Sequence, residues 1–88
     1  MTDSAYDTKW LNDIEDFEDY DESARKLLLL LCHRKYNWRT EAGLARGAGL
    51  KREDVVRILE RLRANAVVSM SLNRKKQVIW GITSRVRG

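Results

Sequence analysis

The apolar period of this chain changes from 3.6 to 2 at Val67, and that switch restricts the fold more than any other feature. Before it, Val55, Ile58, Leu59, Leu62 and Ala66 fall on one face of a helix predicted over residues 52–65. Glu53, Arg57, Glu60, Arg61 and Ala64 take the opposite face, with Lys51, Arg52, Val56 and Arg63 on the flanks. After it, Val68, Met70 and Leu72 alternate with Val67, Ser69 and Ser71, and Val78, Trp80 and Ile82 with Gln77, Ile79 and Gly81. The polar stretch Asn73-Arg74-Lys75-Lys76 joins the two runs, so the expectation is a β-hairpin with a cationic tip.

Upstream, Thr40 opens a second predicted helix, Thr-Glu-Ala-Gly-Leu-Ala-Arg, with its hydroxyl as N-cap and Glu41 beside the positive helix end. Gly47-Ala48-Gly49 breaks that helix, because glycine relieves the steric cost of the positive φ a sharp interhelical turn needs, and Leu50 plugs the corner. A first helix starts at Asp21 or Ser23, either of which can cap it, and runs to about Lys35. Its leucines at 27–31 cover more than one face, which places it at the centre of the core. Asn37 is read as a left-handed stop, and residues 36–39 as an extended link anchored by a buried Trp38.

The N-terminal segment is of another kind. Residues 1–8 lack periodicity and are expected to be a disordered end. Trp10, Ile14 and Phe17, with Leu11, are spaced to share one helical face, yet the carboxylates between them repel in so short a helix. The segment should order only by docking, on its own domain or on another protein. The expected organisation is an acidic arm at 1–20, disordered or a short docking helix, one domain at 21–85, and a basic tail at 86–88 that continues from Thr83. At 88 residues, 43% hydrophobic and 34% charged, there is material for one core and not two.

Charge is split along the chain. Residues 1–22 hold nine carboxylates against Lys9 alone, a net charge of −8, and residues 23–88 hold sixteen cations against four carboxylates, a net charge of +12. A basic body with an acidic arm implies a polyanionic partner, and an arm able to compete for the same surface.

The order helix, extended link, helix, glycine turn, helix, hairpin resembles the winged helix-turn-helix superfamily. The likeness rests on Thr40, Leu44-Ala45, Gly49-Leu50, Val55, Leu59, Leu62 and Val67-Val68, with the exit Ile82-Thr83-Ser84-Arg85, and covers about residues 23–85. It implies a mainly α fold with a small β-hairpin (α+β), a three-helix core plus a two- or three-stranded wing. Two departures stand out: Lys51 occupies the position of the usual capping residue, and the outward face of the third helix carries Glu53 and Glu60, the former spaced to pair with Arg57.

The resemblance assigns roles toward double-stranded DNA. Arg39 and Thr40 would hold a backbone phosphate at the start of the second helix. Lys51, Arg52, Arg57 and Arg61 would approach the major groove or its flanking phosphates. Arg74, Lys75 and Lys76 would follow the adjacent strand or enter the minor groove, and three consecutive cations on a hairpin tip bring no folding gain of their own. The resulting expectation is a DNA-binding module, a small transcriptional regulator or the DNA-binding part of a larger protein, with an arm that modulates binding. The second expectation is an adaptor domain that docks a protein partner through the third helix or through Trp10, Leu11, Ile14 and Phe17 of the arm.

Other chemistries find little footing. Cys32 and His33 are neighbours in a predicted helix and diverge, so they make no nucleophile–base pair; Cys32 reads as a small core residue and His33 as an edge residue. There is no zinc spacing or phosphate-cradling glycine loop, and the carboxylates of 13–22 lack the loop spacing of an EF-hand, so neither catalysis, metal nor cofactor is expected. Trp38, Trp80 and Tyr36 suit base stacking less well than closing the gap between hairpin and helices. No apolar stretch is long enough to span a bilayer, so no membrane partner is expected, and the acidic N-terminus is unlike a targeting sequence. The single cysteine fits a reducing, cytoplasmic setting. Homodimers of such domains use extra helices, which only the N-terminal segment offers here.

Overall fold

A computed structural model of the chain describes residues 5–87. Helix α1 (Glu22–Leu30) is followed by a short strand β1 (Arg39–Thr40), helices α2 (Glu41–Ala48) and α3 (Arg52–Ala64), a hairpin of β2 (Val68–Leu72) and β3 (Val78–Ile82), and a terminal turn of helix α4 (Thr83–Val86). The three strands form an antiparallel sheet in the order β1-β3-β2, with Arg39 opposite Trp80 and Met70 opposite Trp80 on the other side. The wing is therefore three-stranded.

Local chemistry sets the helix ends. Asp21 caps α1, its Oδ1 accepting from Ala24 N at 2.9 Å, and Thr40 Oγ1 caps α2 by accepting from Gly43 N at 3.1 Å. Gly49 ends α2 at φ 68°, a conformation costly for any residue with a Cβ. Lys51 precedes α3 and makes no side-chain cap. At the far end of α3, Ala66 stands at φ 62°, with Ala66 N donating to Arg63 O and Val67 N to Leu62 O at 2.9 Å each. That closure turns Ala66 out to solvent, off the core face on which its spacing put it. Val55, Leu59 and Leu62 meet Leu27, Leu28 and Leu44 in the core as their spacing predicts.

Helix α1 ends at Leu30 and not near Lys35, and Asn37 does not take the left-handed conformation. The cause is the start of the described chain, which pairs there: Asp7 N donates to Cys32 O and Arg34 N to Ala5 O, both at 2.8 Å, and Tyr6 bridges His33. The carbonyls released at the helix end are taken up by arginines. Arg85 Nη1 donates to Leu31 O at 3.0 Å and Arg39 Nη1 to Leu30 O at 3.4 Å. Residues 83–86, expected to open the basic tail, are thus a structural helix with a half-buried Arg85. Gly88 and residues 1–4 of the expected disordered end lie outside the described residues, while Tyr6 and Asp7 of that end are half-buried.

Strand alternation holds only in part. At the hairpin base Val68 and Ser69 are both buried, because α4 covers the second face and Ser69 Oγ bonds Thr83 Oγ1 at 3.0 Å. Beyond it Met70, Ser71 and Leu72 are exposed, Leu72 at 61%, since that half of the hairpin projects past the helices. On β3, Trp80, Gly81 and Ile82 are all buried. A Cβ on Gly81 would stand 2.6 Å from Asn37 O, so the link crossing β3 demands glycine there.

The arm docks on its own domain. It forms two 3-10 helices, Thr8–Asp13 and Phe17–Asp19, in place of the single α-helical face. Trp10, Leu11, Ile14 and Phe17, with Tyr6 and Tyr20, pack against the core cluster. Among the described residues, no helix is long and apolar enough to cross a membrane.

Candidate nucleic-acid interface

The wing tip is built by one side chain. Asn73 Oδ1 accepts from Lys75 N and from Gln77 N at 2.9 Å, and Asn73 Nδ2 donates to Gln77 Oε1 at 3.0 Å. Lys76 N donates to Asn73 O and Asn73 N to Gln77 O, so the turn satisfies its own backbone. The cost falls on Lys76, held at φ 61° where glycine would be at ease. Arg74, Lys75 and Lys76 are all exposed and make no ion pair among the described residues. A hydrogen-bonded turn here presents three charges without an ion-pair partner among the described residues.

The remaining candidates divide into free and engaged. Lys51 is exposed beside the start of α3, and Arg61 is exposed without an ion pair, beside a groove it shares with Asp19 and Asp21. Arg57 pairs with Asp54, three residues back on α3, and not with Glu53 as its spacing suggested; Asp54 lies one residue nearer, and i,i+3 neighbours also meet on a helix face. Arg39 places its guanidinium 5.5 Å from the Tyr36 ring centre besides holding Leu30 O. Thr40 spends its hydroxyl on the helix cap. Arg52 bonds Glu41, and Glu41 is the residue whose part the sequence leaves hidden.

Glu41 is the first residue of α2 and its side chain is only 11% exposed. One carboxylate oxygen accepts from the fully buried Trp80 indole N–H at 3.1 Å, and the other from Arg52 Nη2 at 3.2 Å and Nε at 3.4 Å. A single group thus ties the start of α2, the start of α3 and the central strand of the wing. Sequence spacing offers no signal for a partner 39 residues away.

The acidic arm spends its ion pairs elsewhere. Asp7 pairs with Lys9 and Arg34, and Glu18 with Arg25, all at 3.6–3.7 Å, and among the described residues none reaches the nine candidate DNA-facing side chains. Cys32 is fully buried with its Sγ 3.4 Å from Leu28 O, and burial pushes its thiol up to about 11, so it stays protonated near neutrality. His33 lies past the helix end, its ring between Tyr6 and Tyr36 and its Nδ1 accepting from Lys35 N. Trp80 is core, Trp38 half-buried, and Tyr36 half-exposed under Arg39. Among the described residues, no group of three or more His, Cys, Asp or Glu side chains is placed to hold a metal ion.

No protein-family model and no curated protein sequence matches the chain. Its structure is similar to that of the transcriptional regulator PA4135, with a TM-score of 0.66 and 21% identity over 89% of this chain. The match takes in 54% of that protein, so the chain spans little more than half of its length. Three helices packed through a glycine-ended turn, with a hairpin after the third that pairs with β1 in a three-stranded antiparallel wing, make this fold a winged helix-turn-helix.

Proposed function

We propose that the chain is a double-stranded DNA-binding module, a small transcriptional regulator or the DNA-binding part of a larger protein. The observation that carries this is the wing tip, where Asn73 organises a turn that pays left-handed strain at Lys76 and leaves three cations unpaired. Folding gains nothing from that arrangement, whereas a phosphate backbone does. The named role of a structural neighbour, a transcriptional regulator, supports the same reading. In it, Lys51 and Arg61 join the wing as direct phosphate ligands, Arg52 and Arg57 approach the groove from their carboxylate partners, and Arg39 and Thr40 shape the start of α2. The arm sets Asp19 in the groove beside Arg61, where its carboxylate competes with a phosphate and so modulates binding.

Fluorescence anisotropy with a labelled duplex of mixed sequence, at two salt concentrations, is the test. Affinity should fall steeply as salt rises, in proportion to the phosphates neutralised. No binding to any duplex at low salt would sink the proposal. A docking role for the arm toward another protein loses ground, because Trp10, Leu11, Ile14 and Phe17 already lie on the domain's own core.

A further inference from the structure

We infer that Glu41 is a positioning residue for DNA contact: its carboxylate holds the Arg52 guanidinium so that the unbonded N–H edge faces a phosphate at the start of α3. The inference rests on the DNA-binding reading and goes beyond it, since a buried carboxylate on that face looks at first like a liability. Its geometry argues otherwise. Glu41 accepts Arg52 through Nε and Nη2, which fixes the plane of the guanidinium and leaves Nη1 and the outer N–H groups free. The Arg52 side chain remains 68% exposed although it is anchored.

The anchor itself does not move. The second oxygen of Glu41 is held by the Trp80 indole, which is 0% exposed, and Trp80 sits opposite both Arg39 of β1 and Met70 of β2. Arg52 is therefore referenced to the wing's central strand and not only to its own helix. A free arginine spends rotamer entropy to form a planar contact, and one whose fork is already set spends less. Glu41 also neutralises a cation that would otherwise stand at the positive end of α3.

The test turns on a sign. By charge alone, Glu41→Gln removes a negative group from the DNA side and should tighten binding. By positioning, it weakens binding about two- to fivefold on a mixed-sequence duplex, because Arg52 is released while the amide still accepts from the indole. Arg52→Ala should weaken binding about three- to tenfold and lower the salt slope by about one. In the Arg52→Ala background Glu41→Gln should weaken nothing further. Side-chain NMR supplies a readout without DNA: a slowly exchanging Arg52 Nε–H signal in the wild type, lost in Glu41→Gln, with the Trp80 indole signal retained.

If Glu41→Gln tightens binding, or weakens it equally with and without Arg52, the positioning role is overturned while DNA binding stands. If the Arg52 Nε–H signal persists in Glu41→Gln, it is overturned likewise. If the wild type binds no duplex, the DNA-binding reading falls and takes this role with it.

Discussion

The acidic arm and the wing tip, residues 5–20 and 73–77, are both irregular and charged, and each holds a side-chain-bearing residue at positive φ, Asp16 at 57° and Lys76 at 61°. The arm interleaves its carboxylates with six aromatic or aliphatic side chains, and all six lie on the core cluster. The tip has no apolar residue between Asn73 and Gln77, and among the described residues its side-chain hydrogen bonds stay within the turn. One segment therefore contributes burial and carries its charge on the outward side. The other contributes no burial, and its charge is all it offers. Charge in the arm is compatible with a structural role, while charge at the tip asks for a partner.

Removing residues 1–20 is the harshest way to break this contrast. Partial burial of six large side chains should be worth about 3–5 kcal/mol, an upper range because an unfolded chain already buries some of that surface. Urea unfolding should show the loss as a lowered midpoint, and Trp10→Ala or Phe17→Ala should each cost about 1–2 kcal/mol. An unchanged midpoint would mean that the arm is no part of the core. A rise in duplex affinity beyond about tenfold would mean that the arm screens the basic face directly.

Reversing the charge at the tip should do the opposite. Lys75→Glu with Lys76→Glu should lower duplex affinity by about 2–3 kcal/mol at low salt and weaken all sequences alike. Stability should stay within about 0.5 kcal/mol, since neither side chain has a partner to lose. Equal affinity in wild type and variant would remove the wing from the interface.

The same division governs what could be read from the chain. Thr40, Gly49, the Val55–Leu59–Leu62 face and the Asn73 turn act through neighbours a few residues away, and their local patterns announce them. The fold class followed from those. Features set by distant partners stayed hidden: the end of α1 at Leu30, imposed by pairing of residues 5–7 with 32–34; the second covered face at the hairpin base, imposed by α4; and the Glu41–Trp80 bond. Of the candidate site, the wing cations were legible because a turn of three cations is locally anomalous. On α3 the spacing named Glu53 as the partner of Arg57, where Asp54 takes it, because i,i+3 and i,i+4 neighbours are nearly equivalent on a helix surface.

Lys76→Gly sharpens the contrast within one residue. Relief of the left-handed cost, less the extra freedom glycine gives the unfolded chain, should stabilise the fold by about 0.5–1 kcal/mol. Loss of the cation should weaken duplex binding about three- to fivefold and lower the salt slope by about one. Stability and affinity should thus move in opposite directions, read by urea midpoint and anisotropy on the same sample. A variant that is less stable, or that binds as before, would mean that Lys76 serves the fold and not a ligand.

Asp16→Gly makes the matching change in the arm, and its effect should be the smallest. Aspartate tolerates the left-handed region better than lysine, so the gain in stability should be only about 0.3 kcal/mol. Asp16 makes no ion pair among the described residues, so no pairing is lost to offset that gain. Removing one carboxylate that pairs with none of the candidate DNA-facing cations should leave the salt slope unchanged and shift affinity by less than about twofold. The two glycine variants relieve the same kind of backbone strain, so any difference between them in binding isolates what the side chain does. If Asp16→Gly altered affinity as much as Lys76→Gly, charge anywhere on the domain would suffice, and the tip would lose its claim to be a built contact.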